Sequence, residues 1–320
     1  MQRYLKVRGV LEGNLDFSLE DKRYFWNGDT LNAIETGIPT FVDPNMDDLT
    51  RKVSNFYDEI KFPHFDGMEN YSSIFDKGRN NPFSKQLDDE ISWDAKVLEV
   101  GCGTGQLSLF LGRGNREIHG VDISPGSLNL AEQFRDLHDL EKVYFWHMDV
   151  FNMPFKDDLF DITLSNGVLH HTKDARAAFR CLVAKTKPGG YIICGLYHKF
   201  GRIFTKIKQN LGKVIGKRVT LIDGYSRKLK DQKKRDAWVR DQFFNPHETA
   251  HLPEQVLSWF HENNVTFVNL LPHLYDAEKP LCQKRNNKEL STIDDFWMMF
   301  DPNQIAEGGF FVMVGQKNIP

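Results

Sequence analysis

The segment Val97-Leu-Glu99-Val-Gly101-Cys102-Gly103-Thr-Gly105 places glycines at alternate positions directly after an apolar, β-branched run. Such a bend presents bare backbone where a side chain would collide with a ligand, and the N–H groups of a following helix can face an anion. The chemistry it suits is the seating of a small molecule that carries a carboxylate or phosphate. Two aspartates follow, Asp122 in Gly-Val-Asp-Ile-Ser and Asp149 in His-Met-Asp-Val. Taken alone, either is also what a helix cap or a turn would use. Side chains able to move a proton cluster further on: His170 and His171, then Tyr197 and His198, then Asp241-Gln242, Pro246-His247-Glu248 and His251. A histidine or carboxylate among them could act as a general base.

These residues need a frame that brings them together. From Lys96 onward short β-branched runs alternate with helical patterns, the signature of βαβ units and a parallel sheet. Strands are predicted over 96–100, 117–123, 143–148, 160–165 and 191–196, with two more over 265–271 and 310–315. Ser124 can cap the helix after the second strand, with Pro125 in its first turn, where the missing N–H would be unpaired in any case. Ala175, Ala178, Phe179, Leu182 and Val183 recur at helical spacing until Lys187-Pro-Gly-Gly190 stops them. Ligands of such sheets lie beyond the carboxyl ends of the strands, which puts 166–171 and 197–198 beside the glycine bend. Before the sheet, 48–60 and 84–91 read as helices.

Composition limits the alternatives. At 320 residues the chain holds one large domain with attachments or two modest ones, taking roughly 150 residues per domain. With 40% hydrophobic and 27% charged residues, disorder and collagen-like repeats are excluded. Cys102, Cys181, Cys194 and Cys282 form no C-x-x-C pair, which argues against a zinc ribbon and a disulfide framework and for reduced thiols. Apolar runs such as 310–314 fall short of the roughly 20 residues that cross a bilayer, and 1–10 lacks a signal-peptide pattern, so a cytoplasmic protein is expected. The net charge of −3 conceals fourteen Lys/Arg against three Asp/Glu between His198 and Arg240, a local +11.

For the G-x-G-x-x-G of a dinucleotide fold the third glycine comes one residue early, with Gln106 where that pattern needs glycine, and Glu99 is a poor neighbour for a pyrophosphate. Glu99-x-Gly101-x-Gly103-x-Gly105 instead resembles motif I of class I S-adenosylmethionine-dependent methyltransferases. Phe160-Asp-Ile-Thr-Leu-Ser-Asn166-Gly-Val-Leu-His-His171 resembles their fourth-strand motif, and Lys187-Pro-Gly-Gly-Tyr191 the turn into the fifth strand. The resemblance covers about 95–197 and is strongest to the branch of ubiquinone and menaquinone C-methyltransferases and trans-aconitate methyltransferase. Gly-Leu-Tyr-His-Lys at 195–199 and Asp-Gln-x-x-x-Pro-His-Glu at 241–248 are similar to features of bacterial relatives of unknown substrate.

What the resemblance implies is a Rossmann-like, doubly wound α/β fold with a seven-stranded, mostly parallel sheet and an antiparallel last strand. It implies S-adenosylmethionine as cofactor and S-adenosylhomocysteine as product. Asp122 matches the residue that takes the ribose hydroxyls, and Asp149 the one near the adenine amino group. Glu99, Gly101, Cys102, Gly103, Gly105, Gln106, Ile123, Val150, Asn166 and Gly167 complete the implied cofactor set. Cys102 reads as a small filler rather than a nucleophile.

The sulfonium is already an activated electrophile, so such an enzyme must align a nucleophile and exclude water, without a metal. Candidates for a base or a substrate contact are His170, His171, Tyr197, His198 and His247. His247 and His251 have the i, i+4 spacing of a metal pair, but Pro246 and Pro253 flank them and no metal is expected. Ser165-Asn166-Gly167-Val168 stands where methyltransferases of exocyclic amines carry Asn/Asp-Pro-Pro-Tyr, which argues against amino-adenine methylation. No Pro-Cys dipeptide occurs near the fourth strand, which disfavours covalent cytosine methylation.

The organisation expected is a strand-rich module at 1–46, a helical cover at 47–93 that includes Tyr57 and 62–65, and a methyltransferase domain at 94–320 with a basic helical lid inserted at 198–264. The first module faintly resembles the zinc-ribbon-like domain fused to or partnered with some methyltransferases, with every cysteine missing. In the lid, Phe200, Ile203, Phe204, Ile207, Leu211, Val214 and Ile215 form an apolar stripe, with Lys199, Arg202, Lys206, Lys208 and Lys213 on the other face. Either the stripe packs on the sheet and the charges are solvated, or the basic face meets an anionic small substrate, a membrane carrying a lipophilic substrate, or RNA. The function expected is methyl transfer to a small molecule. An RNA methyltransferase and a catalytically silent cofactor-binding scaffold for a partner chain are the alternatives.

Overall fold

The computed structural model describes residues 3–61, 63, 70–216, 226, 232–271 and 309–320. Phe62, His64, Phe65 and Cys282, and the side chains of Lys213, Val214 and Ile215, lie outside the described residues. The chain begins with a short helix α1 (Arg3–Lys6) and an antiparallel meander of β1 (Leu15–Ser18), β2 (Arg23–Trp26) and β3 (Asp29–Leu31). Three strands this short cannot enclose a core alone. Tyr4, Leu11, Leu15, Tyr24 and Ile38 are accordingly buried in the same core as the large sheet.

Three helices follow. α2 (Asp48–Ile60) starts where the Asp47 side chain accepts from the Thr50 N–H. α3 (Tyr71–Asn80) was not foreseen from periodicity, and Asn70 caps it. α4 (Pro82–Glu90) begins with Asn81 as cap and proline in the first turn.

The central sheet contains β4 (Lys96–Val100), β5 (Glu117–Asp122), β6 (Val143–His147), β7 (Phe160–Asn166), β8 (Thr186–Tyr197), β9 (Val265–Leu271) and β10 (Phe310–Lys317). Its order is β6-β5-β4-β7-β8-β10-β9. The first five strands pair in parallel, and β10 runs antiparallel to both β8 and β9. This is the Rossmann-like, mostly parallel sheet that the sequence implied. Chain order reverses between β4 and β7, where a crevice opens beyond the strand ends.

α5 (Gln106–Leu111), α6 (Pro125–Leu137) and α7 (Ala175–Lys185) cover the parallel strands. α8 (Ile203–Ile215) and α9 (Gln232–Phe244) pack on each other, and α10 (Pro253–Glu262) packs on α7, β9 and β10. Among the described residues no helix is long and apolar enough to cross a membrane.

The first of the two expectations for the lid, a stripe packed on the sheet, is corrected here. Ile203, Phe204, Ile207 and Leu211 are 40%, 47%, 59% and 41% exposed, whereas Arg202, read as part of the charged face, is fully buried. The Arg202 guanidinium is paired with Glu248 and donates to Gln242 Oε1 at 2.5 Å, which turns the polar side of α8 inward.

Candidate active site

Gly101, Gly103 and Gly105 all take positive φ (78°, 53° and 75°). At Gly101 a Cβ would also come within 2.2 Å of the Val168 side chain, so the bend admits no side chain there. The Gly101 and Cys102 N–H groups donate to the Val121 carbonyl at 2.7 and 3.0 Å. The Gly103 N–H donates to Asp122 Oδ2 at 2.7 Å, while Asp122 Oδ1 accepts from Ser124 N–H at 2.8 Å. Asp122, at the tip of β5, therefore braces the bend as well as the following helix start.

A cavity of about 850 Å³ lies over this bend. Glu99, Gly101, Cys102, Gly103 and Gln106 form its floor. Asp122 and Ile123 reach it from β5, Asp149 and Val150 from beyond β6, and Asn166 and Gly167 from the end of β7. Of the cofactor set implied by the sequence, Gly105 alone is not on the wall, and it packs close to Phe145 instead. Pro63, just beyond α2, lies over the loop, its carbonyl accepting from Thr104 Oγ1 at 2.5 Å and Gln106 Nε2 at 3.1 Å.

Electrostatics distinguish this floor. Burial pushes the Glu99 carboxyl up to about 7, against the lowering effect of the Ser108 hydroxyl that donates to it. Burial also raises Asp122, against the lowering effect of its backbone N–H partners. Carboxyls that are costly to ionise in isolation gain from a cation brought against them. Burial raises the Cys102 thiol far above its ordinary range, with Asp122 and Glu99 adding to the effect, so it is no thiolate nucleophile.

The far end of the same cavity is lined by Tyr57 from α2, His171, Tyr197 at the end of β8, Trp238, Asp241 and Gln242 from α9, and Phe310 from β10. The Tyr57 hydroxyl donates to Asp241 Oδ1 at 3.0 Å and accepts from Asn245 Nδ2 at 2.8 Å. Gln242 Nε2 donates to the Tyr197 hydroxyl at 2.9 Å and to Asp241 Oδ2 at 3.0 Å. Arg202 lies over the Tyr197 ring, 3.7 Å from its centroid. His171 Nδ1 meets the His247 carbonyl at 2.7 Å. A carbonyl only accepts, so the proton sits on Nδ1 and Nε2 is left as an acceptor. Burial lowers the His171 pKa, against the raising effect of Asp241, and keeps the ring neutral.

The remaining proton-transfer candidates lie elsewhere. His170 packs its ring 4.0 Å from that of Tyr197, and both its nitrogens are buried without a hydrogen-bond partner among the described residues. His198 accepts from the Gly201 N–H at 3.2 Å and meets Phe311 edge-on. His247 offers its carbonyl, not its ring, to His171. None of these three is among the cavity-lining residues. His247 and His251 lie outside any helix, so their spacing does not place them on one helical face. No cluster of three or more metal-ligating side chains exists among the described residues. Sequence reasoning missed Trp238 and the role of Arg202, and assigned Tyr57 only to the cover. Tyr57 and its partner Asp241 are 184 positions apart, so no local spacing signals the pair.

A bare glycine bend at the end of the first parallel strand, acidic tips on its two successors and this strand order define a class I S-adenosylmethionine-dependent methyltransferase domain. Residues 98–194 match the methyltransferase domain family, and the chain carries such a domain, related to the quinone methyltransferases. It is 31% identical over 138 residues to the demethylmenaquinone methyltransferase of Staphylococcus saprophyticus, which covers 36% of this chain and 58% of that one. It is 26% identical over 148 residues to the enzyme of the same name from a Geobacillus species, covering 45% and 62%. The chain thus spans about half to three fifths of the length of these curated relatives.

Among solved structures, magnesium protoporphyrin IX methyltransferase from Synechocystis, with bound S-adenosylhomocysteine, superposes with a TM-score of 0.52 at 12% identity, covering 85% of this chain and 100% of that one. Phospholethanolamine N-methyltransferase 2 of Haemonchus contortus gives 0.51 at 14% identity, covering 87% and 61%. These likenesses concern the fold.

Proposed function

We propose that this chain transfers the methyl group of S-adenosylmethionine to a small-molecule acceptor. The observation that carries the reading is one continuous cavity joining the glycine bend to the cluster of Tyr57, His171, Tyr197, Asp241 and Gln242. Its volume of about 850 Å³ suits a nucleoside together with a modest acceptor, since small-ligand sites run from roughly 300 to 1,000 Å³.

The residues present fit the cofactor. Gly101 and Gly103 offer bare backbone, Asp122 retains lone pairs for ribose hydroxyls, and Asp149 stands beyond β6 for the adenine amino group. Glu99 and Asp122, whose pKa values burial raises, gain from the positive charges that S-adenosylmethionine carries. Once bound, that cofactor supplies a methyl group on a sulfonium leaving group.

The chain's own residues then orient and exclude water. Tyr57 and Tyr197 remain neutral hydroxyls, raised chiefly by burial and further by Asp241, and can hold a polar acceptor at fixed distance. Where the acceptor nucleophile carries a proton, His171 Nε2 receives it as the bond to carbon forms and the carbon–sulfur bond breaks. His171 is preferred to His170, His198 and His247 because it combines a cavity-lining position with an available acceptor nitrogen.

Titration calorimetry with S-adenosylmethionine and S-adenosylhomocysteine tests the cofactor half. Asp122→Ala should weaken binding by about 1–3 kcal/mol. Unchanged affinity in a folded sample would remove the ribose assignment, and no affinity in the wild type would remove the whole reading. Mass spectrometry of cell extract incubated with methyl-labelled cofactor then identifies the acceptor by its product.

A further inference from the structure

We propose that the outward face of α8 docks on an anionic lipid bilayer. A lid helix ordinarily turns its apolar stripe to the protein, but here the order is inverted. Ile203, Phe204, Ile207 and Leu211 share one side of α8 and are each at least 40% exposed, and Phe244 at the end of α9 is 37% exposed. Arg202, on the opposite side, is fully buried and paired with Glu248. Gln209 Nε2 on the same inward side donates to the Gln242 carbonyl at 2.9 Å. Rolling the helix to bury its stripe would unpair a buried guanidinium, so the apolar face is held outward.

Charge identifies the occupant. Exposed Lys199 and Lys206 and half-buried Lys208 border the stripe, and α8 contains no acidic residue. The surrounding sequence, His198 to Arg240, carries a surplus of eleven positive charges. A second copy of this chain would bring the same surplus and be repelled. Nucleic acid would use the lysines but leave the aliphatic and aromatic side chains unsatisfied. An anionic bilayer uses both, taking the apolar face about 5–10 Å into the headgroup boundary while the lysines meet lipid phosphates.

The surface is tied to the cavity through Arg202, which lies over Tyr197 and donates to Gln242, both on the cavity wall. The proposal concerns binding alone and stands apart from methyl transfer.

Co-sedimentation with sucrose-loaded vesicles tests it. The full chain should bind vesicles of phosphatidylcholine with phosphatidylglycerol, and bind phosphatidylcholine alone poorly. Ile207→Glu, at a site exposed enough to spare the fold, should lower partitioning about tenfold or more. Lys199→Glu and Lys206→Glu should each lower it about fivefold, with the loss mimicked by added salt. Wild-type protein that stays in the supernatant, or an Ile207→Glu variant that binds as the wild type does, overturns the proposal. So does a dimer in sedimentation equilibrium that Ile207→Glu dissociates, because a second copy would then be the occupant. Salt-sensitive RNA retention without vesicle binding overturns it as well.

Discussion

Burial holds the Glu99 carboxyl near 7, while the same group titrates near 4.5 when exposed in the unfolded chain. Between those values the folded chain keeps a proton that the unfolded chain has lost. Its contribution is therefore complete below about 4.5 and is lost as pH rises through 7. Glu99→Gln abolishes the titration, so wild-type stability relative to the variant should fall by about 3 kcal/mol between pH 4.5 and 8 in urea denaturation. Parallel curves would show that Glu99 is not desolvated. His171 makes a kinetic prediction. On an acceptor whose nucleophile carries a proton, His171→Asn should lower kcat by about 10² to 10⁴ with little change in cofactor affinity. The wild-type rate should drop on the acid side of the lowered His171 pKa, and the variant should lack that limb. An unchanged rate would return the base role to another group. The cavity wall around the glycine bend was legible because its glycines and aspartates sit at strand ends, where sequence order and position in space coincide. At the far wall the types of His171, Tyr197 and Asp241 were legible but their meeting with Tyr57 and Trp238 was not, since these residues come from distant elements that meet only after the sheet is assembled.

At the scale of elements, α8 shows what periodicity can and cannot reveal. The recurrence of Ile203, Phe204, Ile207 and Leu211 identifies an amphipathic helix, but a helical period carries no information about which face turns inward. That choice falls to Arg202, whose partner Glu248 lies 46 positions away beyond α9. Arg202→Met should destabilise the chain by about 3–5 kcal/mol, since it leaves the Glu248 carboxylate buried without its counter-charge. Arg202→Met combined with Glu248→Leu should recover much of that loss, because replacing both members by apolar side chains removes the stranded charge. Chemical denaturation of the two variants decides the matter, and a single variant as stable as the wild type would mean that Glu248 finds water or another partner. α3 escaped sequence reading for a related reason. Its polar composition leaves Asn70 as the strongest local signal, and an isolated cap is also what a turn would use. The parallel strands and α7 were readable because their burial is written in consecutive residues, although β8 starts at Thr186, five residues before the expected strand, and takes in the Lys187-Pro-Gly-Gly190 segment expected as a turn.

At the scale of the whole molecule, the N-terminal module solves a problem posed by the sheet. β6 is an edge strand whose outer backbone groups would otherwise be open to pairing with another chain. Residues 40 and 41 occupy that edge: Thr40 pairs with His147, and the Phe41 N–H donates to the His147 carbonyl at 2.8 Å. Further along, Glu12 N–H donates to the Pro154 carbonyl at 2.9 Å and Lys156 N–H to the Val10 carbonyl at 2.8 Å. Tyr4 then closes the core, its ring 4.9 Å from that of Trp146, with neither side chain exposed. A module tied in by both backbone and ring contacts should not unfold before the sheet. Tyr4→Ala should cost about 3–5 kcal/mol, as removal of a buried aromatic side chain does elsewhere. Because the same core spans both regions, that loss should appear as a shift of a single transition, seen alike in tryptophan fluorescence and in far-ultraviolet circular dichroism. Two separated transitions, with the sheet unaffected by Tyr4→Ala, would show that the module folds on its own and that the β6 edge is stable without it.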